Sequence, residues 1–92
     1  MPDKRISIVV SGRVQGVGFR FFTQNLAEQY RLSGWVRNRS DGKVEMEAQG
    51  NENSLNSFTE ELQMGPSAGN VTDMQVNEMP HRESEDGFSI RY

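Results

Sequence analysis

GWVRNRSDGKVEMEAQG, residues 34–50, reads as two strands around a tight turn. Val44, Met46 and Ala48 alternate with Glu45 and Glu47, so one face of that segment is apolar and the other acidic. Ser40-Asp41-Gly42-Lys43 supplies the turn, because Asp-Gly tolerates the positive φ a hairpin requires. Trp35 to Arg39 is then the partner strand, with Trp35 on one face and Val36 and Asn38 sharing the other. Gly50 closes the second strand.

Outward from the hairpin the period changes to that of a helix on both sides. Upstream, Phe22, Leu26 and Tyr30 are spaced by four with Ala27 beside them, one face of a helix that starts at Phe19. Leu32-Ser33-Gly34 ends it, with Gly34 as the expected closing glycine. Downstream, Asn51 and Asn53 offer N-caps, Leu55, Phe58 and Leu62 form a stripe, and Gly65-Pro66 stops the helix. Beyond these helices lie strands: Ile6 to Val10 at the start, Asn70 to Glu78 with Val71, Met74 and Val76, and Phe88, Ile90 and Tyr92 alternating at the end. Pro80 to Gly87 is a charged loop that holds the single histidine, His81, expected to be exposed filler. Each helix has one apolar stripe, so both must cover one face of the same sheet. The expected fold is an α/β, ferredoxin-like βαββαβ sandwich: an antiparallel sheet, two helices on one face, and a short C-terminal strand. Residues 1–92 make one domain.

Composition narrows the function classes. The chain has no cysteine, which removes disulfides, thiolate metal sites and cysteine nucleophiles. Met1 to Arg5 leads into only five mostly apolar residues, too few for a secretory signal or a membrane span, so a cytoplasmic protein is expected. Net charge is −3, but it is unevenly spread. Residues 1–43 hold eight of the ten Lys/Arg and three of the thirteen Asp/Glu, and residues 44–92 hold the rest. A positive half with an acidic remainder suits a small anion better than a polyanion. RNA binding on the open sheet face is disfavoured further, because Glu45 and Glu47 stand where bases would stack. No extended apolar face is evident, so monomer is the expected state.

Two segments can carry chemistry. Gly12 to Arg20 is a glycine-rich loop between a strand and a helix, with glycines at 12, 16 and 18. Successive N–H groups can converge in such a loop, and a helix N-terminus adds unpaired donors and a positive dipole end. Arg20 at that terminus offers a planar fork for two phosphate oxygens. The loop lacks the Gly-Lys-Ser/Thr of a nucleotide P-loop, and alone it also fits an ordinary turn with a surface arginine. The second segment is the strand around Asn38. Asparagine is disfavoured inside strands, so it asks for a reason: either nearness to the Asp41-Gly42 turn, or an amide that fixes a water or an oxyanion. His81 has no Cys or paired carboxylates near it in sequence, so no metal site is expected. Met64, Met74 and Met79 are expected as core filler.

At these two segments the chain strongly resembles the acylphosphatase family. Val10-Ser-Gly12-Arg-Val14-Gln15-Gly16-Val17-Gly18-Phe19-Arg20 matches the family's phosphate-loop signature. Gly34-Trp35-Val36-Arg37-Asn38, with Gly42-Lys-Val44 and Gly50 following at the right spacing, matches its second signature. Gly65-Pro66-Ser67-Ala68 resembles the family's Gly-Pro stretch. The resemblance implies hydrolysis of small-molecule acyl phosphates to a carboxylate and inorganic phosphate, with no metal or other cofactor. It implies that Arg20 binds phosphoryl oxygens, that the backbone amides of Gln15, Gly16, Val17, Gly18, Phe19 and Arg20 line the cradle, and that Asn38 holds the attacking water. The alternatives are a non-enzymatic phosphate-binding regulatory module on the same fold, and an isolated acylphosphatase-like piece of a carbamoyl-transferring enzyme.

Overall fold

A computed structural model describes residues 3–83 and 85–92; Met1 and Pro2, and Ser84 of the expected 80–87 loop, lie outside the described residues. The elements follow the expected order: β1 (Lys4–Arg13), α1 (Phe19–Gln29), β2 (Ser33–Asn38), β3 (Val44–Gly50), α2 (Glu52–Met64), β4 (Asn70–Met79) and β5 (Phe88–Arg91). The sheet order is β4-β1-β3-β2-β5. The first four strands pair antiparallel, as expected. β5 joins β2 in parallel, Gly34 facing Phe88 and Val36 facing Ile90, so the five-stranded sheet as a whole is mixed.

The alternation read in the sequence decides the core. Ile6, Ile8 and Val10 of β1, Val36 of β2 and Val44, Met46 and Ala48 of β3 are all buried beneath the helices. Phe19, Leu26 and Ala27 of α1 and Leu55, Phe58 and Leu62 of α2 close over them. Each of the larger side chains (Val, Ile, Leu, Met, Phe) contributes about 1.5–3 kcal/mol by leaving water, so this layer dominates the fold's stability. β4 contributes mainly through its ladder with β1: it is an edge strand, and its Val76 remains exposed. Met64 is 80% exposed and is not core filler.

The ends of the elements depart from the sequence reading for local reasons. α1 closes at Arg31, which takes a left-handed φ of 56°. The Arg31 N–H donates to Glu28 O at 3.2 Å and the Leu32 N–H to Ala27 O at 2.8 Å, which satisfies the last carbonyls and buries Leu32. Gly34 is therefore not the helix cap. It lies inside β2 with φ 145°, where a Cβ would sit 1.9 Å from the Glu47 carbonyl oxygen, so only glycine permits this close crossing of β2 and β3. β2 ends at Asn38 rather than Arg39, because the Arg39 N–H already closes the hairpin on Lys43 O at 2.8 Å. Tyr92 lies beyond β5 and is almost wholly exposed.

The outer face of the sheet carries a group the sequence concealed. Arg5 is buried, and its guanidinium donates to Glu47, Gln49 and both carboxylate oxygens of Glu85. Burial works against that charge, but Glu85 and Glu47 more than offset it and hold the guanidinium above its ordinary pKa. Gln49 also accepts from the Arg82 N–H and donates to Arg82 O, and it meets His81 at 3.1 Å. The charged loop after β4 is thus fastened across the sheet.

The two helix starts differ. Asn51 caps α2, its side-chain oxygen accepting from the Ser54 N–H at 2.8 Å. Asn51→Ala lowers stability by about 1 kcal/mol. That corresponds to a melting temperature lower by about 4–8 °C for a domain of this size. An unchanged urea midpoint would refute the cap's contribution. α1 has no such cap, and that difference matters at the site.

Candidate active site

Between Ser11 and Gly12 the pairing of β1 with β4 slips by one residue, a bulge after which β1 runs on to Arg13 and leaves the sheet. The loop that follows reaches α1 through Gly18, which sits at the N-cap in a left-handed conformation, φ 76°, and offers no capping side chain. The first turn of α1 holds no acidic residue. The N–H groups of Phe19, Arg20 and Phe21 precede the first intrahelical donor, that of Phe22, which reaches Gly18 O at 3.0 Å. This leaves a positive helix end with unclaimed donors.

Asn38 approaches that end from β2. Like Val36, it projects on the helix side, as its spacing predicts. Val14, Gly16, Gly18, Phe19, Arg20, Phe21 and Asn38 line one hollow of about 200 Å³. This is small for an extended organic ligand and suits a phosphoryl-sized guest. The Asn38 side-chain oxygen is buried with no hydrogen-bond partner among the described residues. A buried carbonyl oxygen in that condition carries a cost of roughly 1–3 kcal/mol unless a water or ligand meets it.

Arg20 lines the same hollow. Its Nη1 donates to Arg91 O at 3.3 Å, and its guanidinium centre lies 4.7 Å from the Tyr92 ring centroid. No ion pair joins Arg20 to a carboxylate among the described residues. The C-terminal residues therefore hold the guanidinium without pairing it with a carboxylate.

A family model described as Acylphosphatase matches residues 6–90. The chain belongs to the acylphosphatase family. An acylphosphatase of Bacillus subtilis (strain 168) is 51% identical over 85 residues, which cover 92% of this chain and 93% of that protein. The crystal structure of acylphosphatase from Bacillus subtilis superimposes with a TM-score of 0.93 at 48% identity, covering 97% of this chain and 99% of that one. Full-length HypF, solved in a phosphate- and nucleotide-bound form, matches with a TM-score of 0.91 at 33% identity. That match covers 99% of this chain but 12% of HypF.

Within this acylphosphatase fold, Gly16, Gly18, Phe19, Arg20 and Asn38 line one hollow. Gln15 and Val17 are not in its wall. Val17 packs against the core, and the Gln15 side chain leaves the loop for the β2–β3 turn. Val14 and Phe21 are in the wall, and the sequence reading did not single them out. Val14 is a buried floor, whereas Phe21 is a 64% exposed rim. The Phe21 rim had a legible signal: an aromatic off the apolar stripe of α1, next to Arg20.

Proposed function

We propose that the chain hydrolyses acyl phosphates to a carboxylate and inorganic phosphate by direct attack of water on phosphorus. Arg20 and the N–H groups at the start of α1 bind the phosphoryl oxygens. Asn38 holds the water in line. A P–O bond to that water forms, the P–O bond to the acyl group breaks, and the carboxylate leaves with the electron pair. The water's proton passes to a phosphoryl oxygen. The leaving group is weakly basic, so no general acid is needed. What remains is positioning and charge stabilisation, which one guanidinium and backbone amides can supply without metal.

The observation that supports this reading is the shared hollow: one phosphate-sized space is lined by Arg20, by an uncapped helix end and by Asn38, and among the described residues no carboxylate pairs with the Arg20 guanidinium and no group meets the Asn38 oxygen. The same reading takes residues 1–92 as one domain, a cytoplasmic monomer with a small-molecule substrate. No described helix is long and apolar enough to cross a membrane.

Benzoyl phosphate with EDTA present is the direct test. Turnover, with inorganic phosphate inhibiting competitively, is the expected result. Phosphate binding without turnover would instead establish the regulatory-module alternative. Turnover abolished by EDTA and restored by a divalent cation would overturn the metal-free step.

A further inference from the structure

We propose that Gln15 is a positioning residue for hydrolysis: its carboxamide ties the phosphate loop to the turn that carries Asn38. Both N–H groups of the Gln15 amide are used on one turn, donating to Arg39 O at 2.7 Å and Lys43 O at 2.9 Å. Those two carbonyls already close the hairpin, accepting from Gly42 N at 3.2 Å and Arg39 N at 2.8 Å respectively. The turn is stiffened from within as well. Asp41 accepts from Lys43 N at 3.2 Å and pairs with Arg39 at 2.8 Å. The Lys43 N–H bond is the main cause that holds the Asp41 carboxyl below its ordinary pKa.

The tether joins the two halves of the site at their nearest points in sequence. Gln15 immediately precedes Gly16, which lines the hollow, and Arg39 immediately follows Asn38, which lines it from the other side. Among the described residues, Val14 to Val17 make no backbone–backbone hydrogen bond outside regular structure. The loop's own backbone therefore does not fix it to the hairpin; the side chain of Gln15 does. A carboxamide is suited to this, since it presents two N–H donors to two carbonyls. Loss of the link lets the water-holding side chain drift relative to the bound phosphoryl group. A drift on the order of 1 Å can cost up to about 10²-fold in rate.

The inference rests on the hydrolytic reading above, and the experiment separates the two. Gln15→Met keeps the volume and removes both donors; Gln15→Asn keeps the amide but shortens its reach. For either, kcat on benzoyl phosphate falls roughly 10–100-fold. KM and the inhibition constant of inorganic phosphate stay within about 3-fold, because the anion's own donors remain. In an Asn38→Ala background the same substitution costs little more, since the group it positions is gone. Wild-type kcat in a folded variant overturns the inference. So does a loss confined to phosphate affinity, or one that adds in full to that of Asn38→Ala. If Gln15→Met does not fold, Gln15→Asn decides. Absence of turnover in the wild-type chain instead removes the hydrolytic reading itself.

Discussion

Arg20→Ala reduces kcat on benzoyl phosphate by on the order of 10²-fold or more, with KM and the phosphate inhibition constant rising as well. Among the described residues Arg20 is the one arginine that lines the hollow, and in the proposed step its guanidinium meets the equatorial oxygens over which the transition-state charge is spread. In the proposed mechanism its fork also binds the ground-state anion, so both parameters change. Arg20→Lys keeps the charge but loses the planar pair of donors, and recovers part of the loss only. The fold survives either change. Arg20 is partly exposed and its polar partner among the described residues is a single carbonyl, Arg91 O at 3.3 Å. A circular-dichroism melt close to that of wild type accompanies the loss. Full turnover in Arg20→Ala would remove the guanidinium from the mechanism.

Asn38→Ala separates water from phosphate. Turnover falls on the order of 10²-fold or more, as for loss of a preorganised polar group in the transition state. The phosphate inhibition constant stays nearly unchanged, because the proposed anion donors, Arg20 and the helix N–H groups, are still in place. Stability changes little, since the buried Asn38 oxygen has no hydrogen-bond partner among the described residues whose bond could be lost. A kcat on benzoyl phosphate equal to that of wild type would show that Asn38 does not hold the water. A weakened phosphate affinity with intact kcat would move Asn38 from the water to the anion.

The features legible in the sequence are those set by neighbours along the chain. The alternation of Val44, Met46 and Ala48, the Asp41-Gly42 turn and the Leu55, Phe58, Leu62 stripe each report a local period or a local φ, and each is realised. Asn38 was legible for the complementary reason, a strand position that propensity disfavours. What stayed hidden depends on contacts between distant segments. Arg5 lies one residue before the inward-facing Ile6, on the opposite face of β1, yet the loop holding Glu85 folds over it. The parallel pairing of β5 with β2 is likewise a long-range fact. Helix closure at Arg31 escaped because a non-glycine residue tolerates the left-handed region at a cost of roughly 1–2 kcal/mol, which two backbone hydrogen bonds and the burial of Leu32 can offset. Gly34 looked like a cap but serves the crossing of two strands. The reach of the Gln15 side chain to the hairpin was also invisible, since nothing in the loop's own spacing fixes its direction.

A crystal structure with orthovanadate, whose five-coordinate form resembles a phosphoryl group under attack, tests the shared pocket most directly. The vanadium should sit in the hollow, with equatorial oxygens held by the Arg20 guanidinium and by N–H groups at the start of α1. One apical oxygen should lie within about 3.2 Å of the Asn38 carboxamide. Vanadate bound with Asn38 out of reach, or seated instead in the hollow rimmed by Arg82 and Arg91, would contradict the account.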